Sequence, residues 1–254
     1  MNESLTTDGL AGTTAIVTGA SRGFGRAIAG ALAVAGAQVV GVARNGSGLD
    51  EVRDELGGGF LPVVADAADP ATAQRLIDEY RPHAVVLCAG AAPQMSPLQD
   101  QSWHSFSQNW NVDVAQAFHW TRYALRRPLA PGSSVIAVSS GAAVAGSPLS
   151  GGYAGAKATV RFIASYAAAE SERSGLGIRF VSVLPRLTPA TDLGAQAVAA
   201  YAERQGVDVE SFVRAGGPPL SAQQVGESVL AIATAGRGGG DAYLLTSTGL
   251  SAVA

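Results

Sequence analysis

The sequence predicts an α/β domain in which a parallel sheet of seven strands is covered by helices on both faces, a doubly wound three-layer sandwich. Three observations predict it. Short apolar runs alternate with segments of helical periodicity along the 254 residues. The first run, Thr14-Ala15-Ile16-Val17, passes straight into a glycine-rich stretch, Thr18-Gly19-Ala20-Ser21-Arg22-Gly23-Phe24-Gly25, and then into a helical pattern. The length suits one such domain, and an apolar content of 47% is ample for a large core.

The elements are read in order. Strands are expected at Thr13–Thr18, Gln38–Ala43, Leu61–Ala65, Ala84–Ala89, Ser134–Ser139, Arg179–Leu184 and Ala242–Thr246. Helices are expected between them. The first is Gly25 to Ala35, with Ile28 and Leu32 four residues apart among alanines. Asp69-Pro70 reads as an N-cap followed by proline at the first helical position, opening Ala71 to Tyr80. Ser102 to Arg126 is a long helix, Gly152 to Ser174 another, and Ser221 caps Ala222 to Ala235. Pro185 to Leu220 stands outside the alternation. It holds helical stretches at Leu193 to Gln205 and Glu210 to Arg214, and it ends in the turn cluster Gly216-Gly217-Pro218-Pro219. Such an excursion is either a plain surface loop or a functional segment. No repeat or linker divides the chain, so residues 1–254 are read as a single domain.

Composition narrows the function. The net charge is −3 with no basic cluster, which argues against nucleic acid as a partner. No apolar run reaches transmembrane length and no signal peptide opens the chain, so no membrane partner is expected; Met1 to Gly9 reads as a polar, frayed arm. The single cysteine, Cys88, precludes an internal disulfide and fits a reducing cytosol, so a cytoplasmic location is expected. Charged residues make up only 15%, low for a wholly solvated surface; some surface is expected to be buried between subunits of a homo-oligomer. The wealth of alanine and glycine suggests a GC-rich bacterial genome. His83, His104 and His119 have no metal-ligand spacing, and no metal is expected.

The glycine-rich turn between strand and helix lets backbone N–H groups approach a phosphate, and the helix N-terminus adds partial positive charge. This is the pattern of a dinucleotide pyrophosphate site on a Rossmann fold. A carboxylate at the end of the second strand would favour NAD; here Ala43 and Arg44 stand there, and Arg22 lies inside the loop. Two cations and no acid suit the 2′-phosphate of NADP(H). The alternative is that both arginines are solvated surface residues.

A second signal is Tyr153-Ala154-Gly155-Ala156-Lys157. Tyr153 and Lys157 share a helix face. Ser139-Ser140 ends the fifth apolar run, with Ser140 thirteen residues before Tyr153. With Asp66, Cys88-Ala89-Gly90, Asn111 and Pro185 in order, the chain resembles the classical short-chain dehydrogenase/reductase family over nearly its whole length.

The resemblance implies a role for each matched residue. Tyr153 would be the general acid, Lys157 the neighbouring ammonium that also holds the nicotinamide ribose, and Ser140 the donor to the substrate carbonyl. Asn111 would anchor a water in a proton relay ending at Lys157. Asp66 would meet the adenine, though it could instead form a turn. The cofactor-binding set is then Gly19, Ser21, Arg22, Gly23, Phe24, Gly25, Arg44, Asp66, Ala67, Ala89, Gly90, Tyr153, Lys157, Pro185 and Thr188. Residues 185–220 would be a lid over substrate. The chain departs from the family in Leu87-Cys88, where paired asparagines are common, and in Arg186 and Ser247-Thr248-Gly249, where glycines are common. Arg186 is either a contact for a substrate anion or a lid residue facing water. The expected activity is NADPH-dependent, reversible reduction of a ketone or aldehyde to an alcohol by a homotetramer or homodimer. The alternatives are an alcohol dehydrogenase, a non-redox enzyme on the same scaffold, and a catalytically silent NADP(H)-binding sensor or scaffold.

Overall fold

A computed structural model describes residues 9–236 and 240–253. The arm expected at Met1 to Gly9 lies, Gly9 apart, outside the described residues. The strands are β1 (Thr14–Thr18), β2 (Gln38–Ala43), β3 (Phe60–Val64), β4 (Ala84–Leu87), β5 (Ser134–Val138), β6 (Arg179–Pro185), β7 (Ala242–Thr246) and β8 (Gly249–Ala252). They form one sheet in the order β3-β2-β1-β4-β5-β6-β7-β8. β1 to β7 run parallel, as expected, but the sheet has eight strands rather than seven. β8 turns back antiparallel on β7, with Thr246 opposite Gly249. It is short, glycine-led and partly exposed, so it lacks the apolar run that marks a buried strand.

The helices are α1 (Gly23–Val34), α2 (Gly46–Leu56), α3 (Pro70–Tyr80), α4 (Trp103–Asn109), α5 (Ala115–Arg126), α6 (Ala142–Ala145), α7 (Gly151–Arg173), α8 (Asp192–Gln205), α9 (Val209–Ala215) and α10 (Ala222–Thr234). One core joins α1, α2 and α10 to a sheet face through Ile28, Leu32, Leu49, Val225, Val229, Val17 and Val39. A second joins α3, α5 and α7 to the other face through Leu76, Trp120, Ala167, Ile16 and Val40. Asn45 caps α2 by accepting from Gly48 N, while Leu49 and Val52 turn inward. This helix is one the sequence reading does not single out. The expected long helix from Ser102 is present, but Trp110–Val114 forms a π-helical turn between α4 and α5. No helix among the described residues is long and apolar enough to cross a membrane.

The strand order reverses between β1 and β4. In open parallel sheets ligands bind at such a switch point, beyond the carboxyl ends of the strands. The segments leaving β1 to β6 carry Gly19, Arg44, Asp66, Ala89, Ser140 and Thr188 to that edge.

Trp120 ties the second core to this edge. It is fully buried, and its Nε1 donates to the Ala67 carbonyl at 2.9 Å. Trp120→Ala is expected to lower the unfolding free energy by about 3–5 kcal/mol, read by urea denaturation; a loss below about 1 kcal/mol would contradict this placement.

Candidate functional site

The glycine loop leaves β1 and enters α1 through residues that tolerate no side chain. Gly19 has φ 69°, and a Cβ there would lie 2.8 Å from the Ala89 Cα. A Cβ on Gly25 would lie 2.1 Å from the Gly19 carbonyl oxygen. Arg22 precedes α1 in extended conformation and makes no side-chain cap, and the first turn of α1 has no acidic residue. The leading N–H groups of α1 are therefore left for a ligand. Ser21 and Phe24 are half-buried along the same loop. This cradle fits a pyrophosphate.

Thr18 organises the floor. Its Oγ1 accepts from Cys88 N at 2.9 Å and Ala89 N at 3.2 Å, and it pairs with the Gln116 Oε1. Gln116 Nε2 donates to the Ala89 carbonyl at 2.8 Å. Thr18 and Gln116 thus brace the end of β4, where Leu87-Cys88 replaces the asparagines common in the family. Burial pushes the Cys88 thiol up to about 11; Lys157 opposes this and Asp113 adds to it.

At the end of β2, Arg44 is exposed. Arg22 is also exposed and pairs with Asp192 of α8 at 3.2 Å. Gly48, in the first turn of α2, packs on Ser21, so both arginines flank one corner. Asp66 is exposed, and its Oδ1 accepts from Ala68 N at 2.9 Å in a tight turn. Ala67 beside it is buried.

The centre of the site is Lys157, buried on α7. Its Nζ lies 2.9 Å from Asp113 Oδ1, donates to the Val138 carbonyl at 3.0 Å, and stands 5.7 Å from the centre of the Tyr153 ring. Burial by itself would lower the Lys157 pKa. Asp113, Tyr153 and Cys88 together outweigh it, Asp113 first among them, and the net shift is upward. Ser139 Oγ donates to the Lys157 carbonyl at 2.7 Å and pins α7 to β5.

Asn111, expected beside Lys157, is exposed. Asp113 takes that place instead. Asn109 and Asp113 are four apart and share the inner face, whereas Asn111 is two from each and points away. A signal for this does exist in the sequence. Asn109, Asp113 and Gln116 are polar residues in one helical stripe with Ala117, Trp120 and Ala124, and all six are buried.

Ser140 and Tyr153 are half-buried. Ser140 Oγ accepts from Ala142 N at 3.1 Å, which leaves its own hydrogen to donate elsewhere. Pro185 ends β6, and its carbonyl accepts from Gly141 N. Thr188 is buried, with Oγ1 donating to the Leu220 carbonyl at 2.6 Å; it closes the base of the excursion. Thr191, not Thr188, reaches the glycine loop, its methyl group 3.4 Å from where a Gly23 Cβ would be. Arg186 is exposed and lines a cavity with Leu187, Val198, Phe212, Leu220 and Ser247. Among the described residues no group of three or more His, Cys, Asp or Glu is placed to hold a metal ion.

Comparisons with known proteins place the chain in a family. The family model for short chain dehydrogenase matches residues 13–202. A short chain dehydrogenase of Pseudocercospora fijiensis is 32% identical over 180 residues, 66% of this chain and 57% of that protein. The chain thus matches little more than half the length of that relative. The D-threitol dehydrogenase of Mycolicibacterium smegmatis is 29% identical over 196 residues, 74% of each protein. A crystal structure of the 3-ketoacyl-(acyl-carrier-protein) reductase of Brucella melitensis, complexed with NADH, superposes with a TM-score of 0.72 at 22% identity, over 88% of this chain and 91% of that one. At that identity the superposition speaks for the fold. With the matched family model covering most of the chain, the protein belongs to the short-chain dehydrogenase/reductase family.

Proposed function

We propose that this protein is an NADPH-dependent carbonyl reductase that converts a ketone or aldehyde reversibly to an alcohol, with Tyr153 as general acid and base. The observation that carries the reading is Lys157, its Nζ 5.7 Å from the centre of the Tyr153 ring and hydrogen-bonded to the carbonyl of Val138, two residues before Ser140, on the sheet edge that also holds the glycine cradle. A nicotinamide held there would supply the hydride. Tyr153 then donates a proton as negative charge grows on the substrate oxygen. Ser140 donates a hydrogen bond that strengthens as that charge develops. Lys157 spends its contacts on Asp113 and Val138 and keeps a further N–H for the ribose hydroxyls. The segment 185–220, tied to the glycine loop by Asp192 and Thr191, serves as the lid over a small-molecule substrate. The D-threitol dehydrogenase among the relatives favours a second reading, in which the alcohol is oxidised.

Arg44, exposed at the end of β2 with no carboxylate at that strand end, supports NADPH over NADH. Losing a charge-assisted contact costs about 1.5–3 kcal/mol, about tenfold or more in affinity. Wild type is expected to bind NADPH at least about tenfold tighter than NADH in fluorescence titrations, and Arg44→Ala to narrow the gap. Equal affinities in the wild type would refute the preference.

The chemical assignment is tested by Tyr153→Phe. The variant should keep its circular dichroism spectrum and NADPH binding while turnover of a carbonyl panel falls about 10²–10⁴-fold. The wild-type reduction rate should fall as pH rises, because the proton must be on the phenol. Near-normal turnover by Tyr153→Phe would point to another proton donor or a non-redox relative.

Assembly is proposed from the helix surfaces. Phe118 on α5 and Phe162 and Tyr166 on α7 are 49%, 50% and 65% exposed, an apolar face suited to a second copy. Light scattering should show a homodimer or homotetramer; a stable monomer at micromolar concentration would exclude this.

A further inference from the structure

We infer that Asp113 is a positioning residue that holds Lys157 in a buried ion pair, so that the Tyr153 site carries no net charge where an amide would leave it positive. The assignment deepens the proposed function, since it rests on Tyr153 and Lys157 working together.

The case begins with what converges on the carboxylate. Asp113 is only 1% exposed. Its Oδ2 accepts from Ala91 N at 3.0 Å and from Asn109 Nδ2 at 3.2 Å. Its Oδ1 faces Lys157 Nζ at 2.9 Å. Every polar contact on this side chain is therefore with a donor. An ionised carboxylate accepts at both oxygens, whereas an amide would turn its NH₂ toward a donor on one side. The pocket is fitted to the group as well, since a Cβ on Gly90 would lie 2.8 Å from Asp113 Oδ1. Asn109 is held in turn by donating to the Ala91 carbonyl at 2.7 Å.

The charge balance follows from the neighbours. Asp113 comes from the π turn, Tyr153 lies on the same helix as Lys157, and Cys88 follows β4; these are the titratable groups acting on Lys157. β5 contributes the neutral Val138 carbonyl. Asp113 is thus the one carboxylate among the groups acting on this ammonium. It fixes where Nζ sits, and it offsets the positive charge that Tyr153 would otherwise face.

Two measurements test this without substrate or cofactor. The first is ultraviolet titration of the phenol at position 153, taken as the difference between each protein and its Tyr153→Phe counterpart. Asp113→Asn should lower the Tyr153 midpoint by about one pH unit or more, since the Lys157 charge beside the phenol then has no carboxylate to offset it. A midpoint that stays put or rises would overturn the inference. The second covers poor folding of the single variant. Asp113→Asn and Lys157→Met should each lower the thermal midpoint strongly, because each strands a buried charge. The double variant should lose clearly less than the two losses combined. Additive losses would overturn the pair. If the reductase reading alone is wrong, both measurements still succeed while the carbonyl panel shows no turnover.

Discussion

The parallel sheet imposes the constraint from which the rest follows. Parallel strands all end at one edge, and their last N–H and C=O groups find no partner within the sheet. Where the order reverses between β1 and β4 the two strands lead away to opposite sides, and the edge opens. Something polar must close the backbone there. Thr18 does it for β4, taking Cys88 N and Ala89 N on one hydroxyl. Gln116 completes the closure from α5. The same opening that demands these partners leaves room beside the glycine loop, so the sheet's structural problem and its candidate site have one location.

The buried polar residues of the α4–α5 stretch are the second consequence. Asn109, Asp113 and Gln116 face inward where a covering helix normally shows only apolar side chains. A straight α-helix meets the sheet with one narrow stripe; the π turn at Trp110–Val114 widens the stripe just where Asp113 must reach Lys157. Leaving either charge alone in this interior would cost several kcal/mol. Asp113 and Lys157 are consequently a pair that must be kept or lost together, and the glycine at position 90 is part of the same packing.

Most of the architecture was legible because it rests on local rules. Continuous apolar runs marked seven strands, and Asp69-Pro70 and Ser221 marked helix starts that the structure caps as expected. The glycine loop and the Tyr153–Lys157 spacing were equally local. β8 was not legible because an edge strand of small residues carries no hydrophobic pattern. The role of Asn111 rests on the family resemblance and not on helix face; Asp113, two positions on, is the residue the fold buries. Arg22 illustrates a different limit. Its position in the loop was plain, but its pairing with Asp192 spans most of the chain and depends on how the excursion folds back.

That folding back rests on two kinds of contact. Its base is buried and firm: Thr188 and Leu220, at its two ends, are joined by a hydrogen bond inside the protein. Its outer contacts are of another kind. The Arg22–Asp192 pair is solvated on both sides, and such pairs contribute about 0–1 kcal/mol. The Tyr201 hydroxyl meets Ser147 just ahead of α7, a contact between two half-buried side chains. Tyr201 and Phe212 stack on each other, which stiffens α8 and α9 as a unit rather than fastening them to the sheet. The excursion is thus anchored by a buried bond at its base, while its side-chain pairs to the glycine loop and to the segment before α7 are exposed or half-buried.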